Sequence, residues 1–317
     1  MQIELAPCKF EPTTAIDSGK NVIVEEFSDA RPAFSLLKPA EQRVPFIFNS
    51  PHSGRIYPPS FLAMSKLDAQ QIRGSEDFHV DSLFQDVVGI GAPLMQAHFP
   101  RAFIDINREP YELDQKLFCE KLPSYANHQS VRVASGLGTI ARLVAESREI
   151  YRHRPTLDEA MQRIETYYRP YHDALRSVLA RTHVTFGYSV LVDCHSMPSS
   201  AIGRKNRKTP DVIIGDRYGT SCDATLSEAI TDILEKLGLN VTLNKPYAGG
   251  FITEHYGRPL RGLHAVQIEI NRALYMDEKR LELSAAFDEI RHLFKVFAER
   301  VVSVPDASFY PEQQAAE

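Results

Sequence analysis

Short apolar runs alternate with longer stretches of helical periodicity along this chain. Runs at residues 45–49, 93–97, 102–106, 189–194, 211–215, 240–243 and 265–270 have strand length and are mostly punctuated by Pro, Gly, Asn or Asp. Residues 77–88 place Phe78, Val80, Leu83, Phe84, Val87 and Val88 near an i, i+3, i+4 spacing, which predicts a helix. After Pro155, Thr156 and Glu159 have the spacing of a capping box. Met161, Ile164, Tyr168, Tyr171, Leu175, Val178 and Leu179 then mark one face, and Pro170 should kink that helix or divide it in two. A helix over 225–237 should end at Gly238, and a long amphipathic helix is expected over 277–301. Strands alternating with helices predict an α/β fold with a mixed, mostly parallel sheet covered by helices on both faces. Residues 1–43 read as an N-terminal extension or edge hairpin, 109–138 as a long functional loop, and 305–317 as a loose tail on a single domain spanning 1–317.

Composition narrows the function classes. Hydrophobic residues make up 43% and charged residues 24%, ordinary values for a globular protein, and the net charge of −5 offers no footprint for nucleic acid. The basic stretch Arg204-Lys205-Asn206-Arg207-Lys208 is short and reads as a solvated loop. No apolar run approaches the ~20 residues needed to cross a bilayer, and the first residues lack a leader's basic and apolar regions. Cys8, Cys119, Cys194 and Cys222 are widely spread and form no CxxC pair, so a reduced, cytoplasmic protein is expected.

The chemistry gathers where the strands end. Sites in open α/β sheets collect at the carboxyl ends of strands. Four predicted strands end there in polar or ionisable groups: His52 in "NSPHSG"; Asp105, Asn107, Arg108 and Glu109 in "RAFIDINREP"; Asp193, His195 and Ser196 in "VLVDCHSMPS"; Glu269, Asn271 and Arg272 in "VQIEINRALYMDE". Glu269 stands in an apolar strand, where a carboxylate is costly unless paired or at work; it is either a structural ion-pair partner or a general base with a raised pKa. His52 and His195 suit an imidazole-rich metal site, and Glu76, Asp77 and His79 in "RGSEDFHVD" are candidates for a third ligand. Arg108 fits a substrate carboxylate, or a network with Asp105 or Glu109. There is no HExxH, no GxSxG, no P-loop and no GxGxxG after a strand.

The segments "SPHSGRIYP", "SEDFHVD", "PRAFIDINREPYELD", "VDCHSMPS", "PYAGGFITEHYGRP" and "QIEINRALYMDE", in order from residue 50 to 278, make the chain resemble the N-formylglutamate amidohydrolase family. The resemblance implies a zinc-carboxypeptidase-like, phosphorylase/hydrolase-like fold. It also implies zinc-dependent hydrolysis of N-formyl-L-glutamate, a small acidic substrate, to formate and L-glutamate in histidine degradation. Carried over residue by residue, it makes His52, Asp77 and His195 the zinc ligands, with Glu76 as the alternative to Asp77. Glu269 becomes the general base, Arg101 a cationic helper for the oxyanion, and Asn107 and Arg108 a clamp for the α-carboxylate. Arg258 would meet the second carboxylate, and Tyr256 would close over the substrate. One departure stands out: Arg55 occupies the place where carboxypeptidases carry a glutamate three residues after their first histidine. Hydrolysis of another N-acyl amino acid, carboxypeptidase-like cleavage, and non-catalytic binding of an acidic metabolite are the rival readings.

Overall fold

The computed structural model describes residues 13–17, 22–26, 32–144, 147–201, 210–304 and 307–311; the basic stretch 204–208, Cys8 and most of the tail lie outside them. The strands are β1 (Thr13–Asp17), β2 (Val22–Glu26), β3 (Phe34–Pro39), β4 (Phe46–Ser50), β5 (Leu94–Ala97), β6 (Leu143–Val144), β7 (Arg148–Glu149), β8 (Ser189–Met197), β9 (Val212–Gly215), β10 (Val241–Leu243), β11 (Leu263–Asn271), β12 (Met276–Asp277) and β13 (Glu282–Leu283). Nine of them form one sheet in the order β1-β2-β3-β5-β4-β8-β11-β9-β10, while β6–β7 and β12–β13 are separate small hairpins. Its centre, β5-β4-β8-β11, is parallel; β3 and β9 join it antiparallel. The edge strand β1 pairs with β2, and β2 with β3, so part of the expected N-terminal extension is a sheet-edge hairpin.

The helices are α1 (Pro59–Met64), α2 (Val80–Leu83), α3 (Val87–Ile90), α4 (Val131–Ala134), α5 (Leu157–Arg163), α6 (Arg169–Phe186), α7 (Ala224–Lys236), α8 (Phe251–Tyr256) and α9 (Phe287–Val301). They cover both faces. Tyr171, Leu175 and Val178 of α6 share one core with Ile47, Leu191 and Ala265. Helices α2, α3, α7 and α9 share the other with Phe46, Phe48, Val190, Val192, Val266 and Ile268. Neighbouring strand residues thus go to opposite cores, as the pleat requires. Full burial of each such side chain contributes about 1.5–3 kcal/mol. No helix among the described residues is long and apolar enough to cross a membrane.

Thr156 and Glu159 form the expected capping box: Thr156 Oγ1 accepts from the Glu159 amide at 3.2 Å, and Glu159 Oε2 accepts from the Thr156 amide at 2.8 Å. A π-helical turn over residues 164–168 separates α5 from α6, and Pro170 sits in the first turn of α6, where it takes no hydrogen bond from the helix. Gly238 caps α7 with φ +90°.

Three expected elements differ. Residues 102–106 are not a strand. Ala102, Phe103, Ile104 and Ile106 are buried, but their chain coils, with the Asp105 amide bonded to Thr139 O at 2.8 Å. The helix over 77–88 is broken into α2 and α3, because the Asp77 amide is tied to His52 O at 3.0 Å and His79 adopts φ +54°. The C-terminal helix begins at Phe287 rather than near 277, since β12 and β13 turn back on each other first.

Candidate active site

The alternation of the central strands changes character towards their carboxyl ends, chiefly on one face. On the α6 side, Ile47 is followed by Asn49, Leu191 by Asp193 and His195, and Ala265 by Gln267 and Glu269. On the opposite face the same strands are apolar through Phe48, Cys194 and Ile270, with the hydroxyls of Ser50 and Ser196 following at the ends of β4 and β8. The parallel register sets Asn49 beside Asp193, Asp193 beside Gln267, and His195 beside Glu269. A patch of polar and ionisable groups is thereby built at one edge of an otherwise apolar sheet.

His52 enters from the turn after β4. Ser50 and Ser53 hydroxyls meet at 2.6 Å across that turn, and the Ser53 oxygen also accepts from the Asp81 amide at 3.2 Å. Gly54 is required there: a Cβ would lie 2.0 Å from the main-chain oxygen of Phe99. Arg55 turns away and forms a two-pronged ion pair with Asp81 at 2.8 and 3.0 Å.

Asp77 completes the group. Its Oδ2 lies 2.8 Å from His195 Nδ1 and 3.4 Å from His52 Nδ1, while the two Nδ1 atoms are 3.2 Å apart. The other nitrogen of each ring faces a carboxylate: His52 Nε2 meets Asp105 Oδ1 at 2.8 Å, and His195 Nε2 meets Asp193 Oδ2 at 2.9 Å. Those carboxylates are held in turn. Asp105 accepts from the Asn107 amide at 2.9 Å and from Arg101 at 2.8 Å; Asp193 accepts from Asn49 Nδ2 at 2.7 Å. Carboxylates on both Nε2 atoms select the tautomers with protonated Nε2, leaving the Nδ1 lone pairs pointed at each other and at Asp77. Three buried lone-pair donors aimed into one small space fit a divalent cation. Glu76, the alternative ligand, is engaged elsewhere, accepting from Tyr57 Oη at 2.7 Å and from Arg73 at 3.0 and 3.1 Å. His79 is not among the converging donors either.

The electrostatics follow the same geometry. With no ion between them, burial would raise the Asp77 carboxyl, but hydrogen bonds from His195 and His52, each then carrying a proton on Nδ1, hold it well below the usual range. Burial would lower His195, but the Asp193 and Asp77 carboxylates reverse this and hold its imidazole well above the ordinary value. Glu269 is the exception among the acids. Burial pushes it up to about 7, with Asp77 adding to the rise and His195 opposing it. It is 8% exposed and accepts a hydrogen bond from Gln267 Nε2 at 2.9 Å.

A cleft of about 460 Å³ opens beside this group, lined by Arg101, Arg108, Tyr247, Glu269 and Arg272 among others. Arg272 donates to Asp77 Oδ1 at 3.1 Å and to Ser196 Oγ at 3.0 Å. Arg108 donates to Leu137 O and Asn107 O and lies 3.3 Å from Asp105; burial pushes it down to about 10, with Asp105 opposing.

Three of the residues expected to contact substrate are placed outside the cleft lining. Asn107 is buried behind the cleft, where its Oδ1 accepts from the Ile252 amide at 2.8 Å and its Nδ2 lies 3.3 Å from His195 Nε2. Tyr256 is outside the cleft lining, and its hydroxyl is 2.8 Å from His172 Nδ1. Arg258 is exposed and bonds the main-chain oxygens of Glu254 and Gly257. Helix α8, which carries Tyr256 and leads to Arg258, packs on α6 and β11, and of the same segment Tyr247 is the residue that lines the cleft. Conversely, sequence reasoning assigns no part to Asp193 or Arg272 and gives Asp105 only a possible network with Arg108, whereas the structure sets Asp105 and Asp193 against the two imidazoles and Arg272 against Asp77. The signal for Asp193 was its polarity at an inward position of an apolar strand.

A family model described as N-formylglutamate amidohydrolase matches residues 44–276. The N-formylglutamate deformylase of Pseudomonas aeruginosa is 31% identical over 242 residues, covering 75% of this chain and 84% of that one. That of Pseudomonas putida is 30% identical over 239 residues, covering 74% and 83%. The crystal structure of N-formylglutamate amidohydrolase from Ralstonia eutropha JMP134 matches with a TM-score of 0.81 and 32% identity, over 85% of this chain and 97% of that chain. A gene product of Agrobacterium tumefaciens shares the fold, with a TM-score of 0.62 and 19% identity over 86% and 95% of the two chains.

Proposed function

The chain belongs to the N-formylglutamate amidohydrolase family, and from that membership we propose that it hydrolyses N-formyl-L-glutamate to formate and L-glutamate, as a step of histidine degradation. The observation that carries this reading at the site is the convergence of His52 Nδ1, His195 Nδ1 and Asp77 Oδ2 in front of the Arg-lined cleft that contains Glu269. His52, Asp77 and His195 would hold one divalent ion; two imidazoles and a carboxylate suit zinc, and suit other divalent metals such as iron or manganese as well. Such an ion, when bound, supplies Lewis-acid polarisation of the formyl oxygen and a more acidic water.

The chain's own residues do the rest. Glu269, as the carboxylate, takes a proton from the attacking water as its oxygen bonds the formyl carbon. The same carboxyl then delivers that proton to the nitrogen as the C–N bond breaks. Its raised pKa suits both transfers, because a group titrating near 7 accepts and returns a proton with little bias at neutral pH. Arg101, held against Asp105, offers positive charge to the oxygen that becomes anionic. Arg108 and Arg272 are the groups available for the two carboxylates of the substrate. Three guanidinium groups line the cleft against Asp77, Asp105 and Glu269, so the two positive charges that a divalent ion would add set its balance and would favour an anionic substrate. Asn107 acts by buttressing His195 and the start of α8 rather than by touching substrate.

The test is formate release from N-formyl-L-glutamate, with N-acetyl-L-glutamate and N-formyl-L-leucine as comparators. Chelator-treated protein should lose the activity and regain it on addition of zinc. Preference for a comparator over N-formyl-L-glutamate would overturn the substrate, and full activity after verified metal removal would overturn the metal.

A further inference from the structure

A second cleft, of about 490 Å³, lies on the outer side of the β6–β7 hairpin. Lys66, Lys116, Arg142, Arg152 and Arg154 line it, against one carboxylate, Glu149. Five cations around one concave space are out of keeping with a chain whose net charge is −5. Four of them arrive on three segments tied together by main-chain hydrogen bonds, and Lys116 comes from a fourth. The Lys66 amide donates to Ile150 O at 2.8 Å, the Ile150 amide to Arg142 O at 3.0 Å, and the Arg152 amide to Met64 O at 2.9 Å.

The side chains are arranged to leave charge unspent. Arg142 is steadied by Asp114, whose Oδ2 accepts from its Nε at 2.8 Å, and Arg152 Nε donates to Ser65 O at 2.7 Å. Glu149 Oε2 lies 2.6 Å from Lys66 Nζ, and its other oxygen 3.8 Å from Arg142. Neither Lys116 nor Arg154 forms an ion pair with any described residue. Counting Asp114 with Glu149, five positive charges face two negative ones. Lys66, Lys116, Arg152 and Arg154 are exposed, so water and salt screen part of their mutual repulsion; an anion bridging them would relieve the rest, and guanidinium and ammonium groups together suit phosphate oxygens.

We propose that this cleft is a binding site for a small phosphate-bearing anion, separate from the catalytic cleft, with Lys116 and Arg154 as its unpaired cations and Glu149 as an internal competitor for Lys66 and Arg142. The anion takes the place that the Glu149 carboxylate occupies. Glu149 pairs across the hairpin with Leu143, and Leu143 lines the catalytic cleft, so the two sites share one thin wall.

The experiment is calorimetric titration of the metal-loaded protein with pyrophosphate, and in a second arm with adenosine 5′-diphosphate, at fixed low ionic strength. Lys116→Ala/Arg154→Ala removes two exposed cations and should weaken binding at least about tenfold, while Glu149→Gln, which removes the competitor, should tighten it. Tighter binding of the nucleotide than of pyrophosphate identifies an ester with an organic part as the fitting ligand; equal binding identifies the phosphate alone, and either result supports the site. Metal stripping by the phosphates would affect wild type and variants alike, so the comparison between them reads the cleft. No binding up to about 10 mM, or affinity unchanged in both variants, overturns the proposal. Inhibition of formate release that is the same in wild type and variants would place the anion in the catalytic cleft and overturn it as well.

Discussion

Replacing Glu269 by glutamine should separate what the carboxylate does for the reaction from what it costs the fold. The residue is buried, and its acidity is shifted from an ordinary 4.5 up to about 7. Because the folded state holds the proton more tightly than the unfolded chain, this group costs nothing below about pH 4.5. The cost grows as pH rises from there and is complete above about pH 7. At about 1.4 kcal/mol per pH unit, the full interval corresponds to about 3 kcal/mol. In chelator-treated protein, the wild type and Glu269→Gln should therefore differ by less than about 1 kcal/mol at pH 5, with the variant about 3 kcal/mol more stable at pH 8. For a chain of this length that is a rise of roughly 5 °C in Tm, measurable by circular dichroism melts at the two pH values. In the metal-loaded protein the same variant should bind its ion normally and lose about two to four orders of magnitude in kcat, since general acid–base transfer contributes that much. A variant that keeps a tenth of wild-type kcat, or one whose Tm shows the same pH dependence as wild type, refutes the assignment of Glu269 as a buried, proton-transferring base.

Other substitutions test the geometry around it. Asp77→Asn should release the metal into a competing dye at concentrations where Glu76→Gln retains it, because only Asp77 points at the two imidazoles. Asp105→Asn should weaken metal retention about 10- to 100-fold in the same dye competition, since its carboxylate fixes the His52 ring. Arg108→Ala should raise KM for N-formyl-L-glutamate at least about tenfold with a smaller change in kcat, measured by formate release; an unchanged KM removes it from substrate binding. Gly54→Ala should lower unfolding free energy by about 3 kcal/mol or more in urea melts, as the added Cβ meets the rigid Phe99 carbonyl.

The central strands were legible because a parallel strand buried on both faces is a nearly continuous apolar run, and β4, β8 and β11 read that way. The capping box before α5 was legible because it is a local exchange of two hydrogen bonds. What failed depended on distant partners. Residues 102–106 are as apolar as a strand, yet Asp105 has to reach His52, and its chain bends to deliver it. Residues 77–88 have helical spacing, but Asp77 is pinned to the His52 main chain and the helix starts late. Charged residues 277–286 favour a helix intrinsically, and tertiary pairing of β12 with β13 overrides that preference. The converging His52, Asp77 and His195 were recoverable from the family pattern. Arg272 was not, because its guanidinium folds back to Asp77, a contact spanning 195 positions of sequence.

The gathering of the ionisable groups on one side of β8 and β11 bears on how this chain tolerates insertion and deletion. Successive strand residues point to opposite sides, so one extra residue within β11 ahead of Glu269 would exchange the two sides beyond it. The carboxylate would be driven among Phe294 and Phe297 of α9, and an isoleucine would enter the cleft in its place. One such lesion would abolish the chemistry and split the core at once. A two-residue change would restore the alternation and spare the core, but it would carry Glu269 about 6–7 Å along the strand and so end the chemistry while the fold survives. The fold should therefore survive length changes within these strands by twos or not at all, whereas the β12–β13 hairpin, outside the sheet, is under no such parity rule.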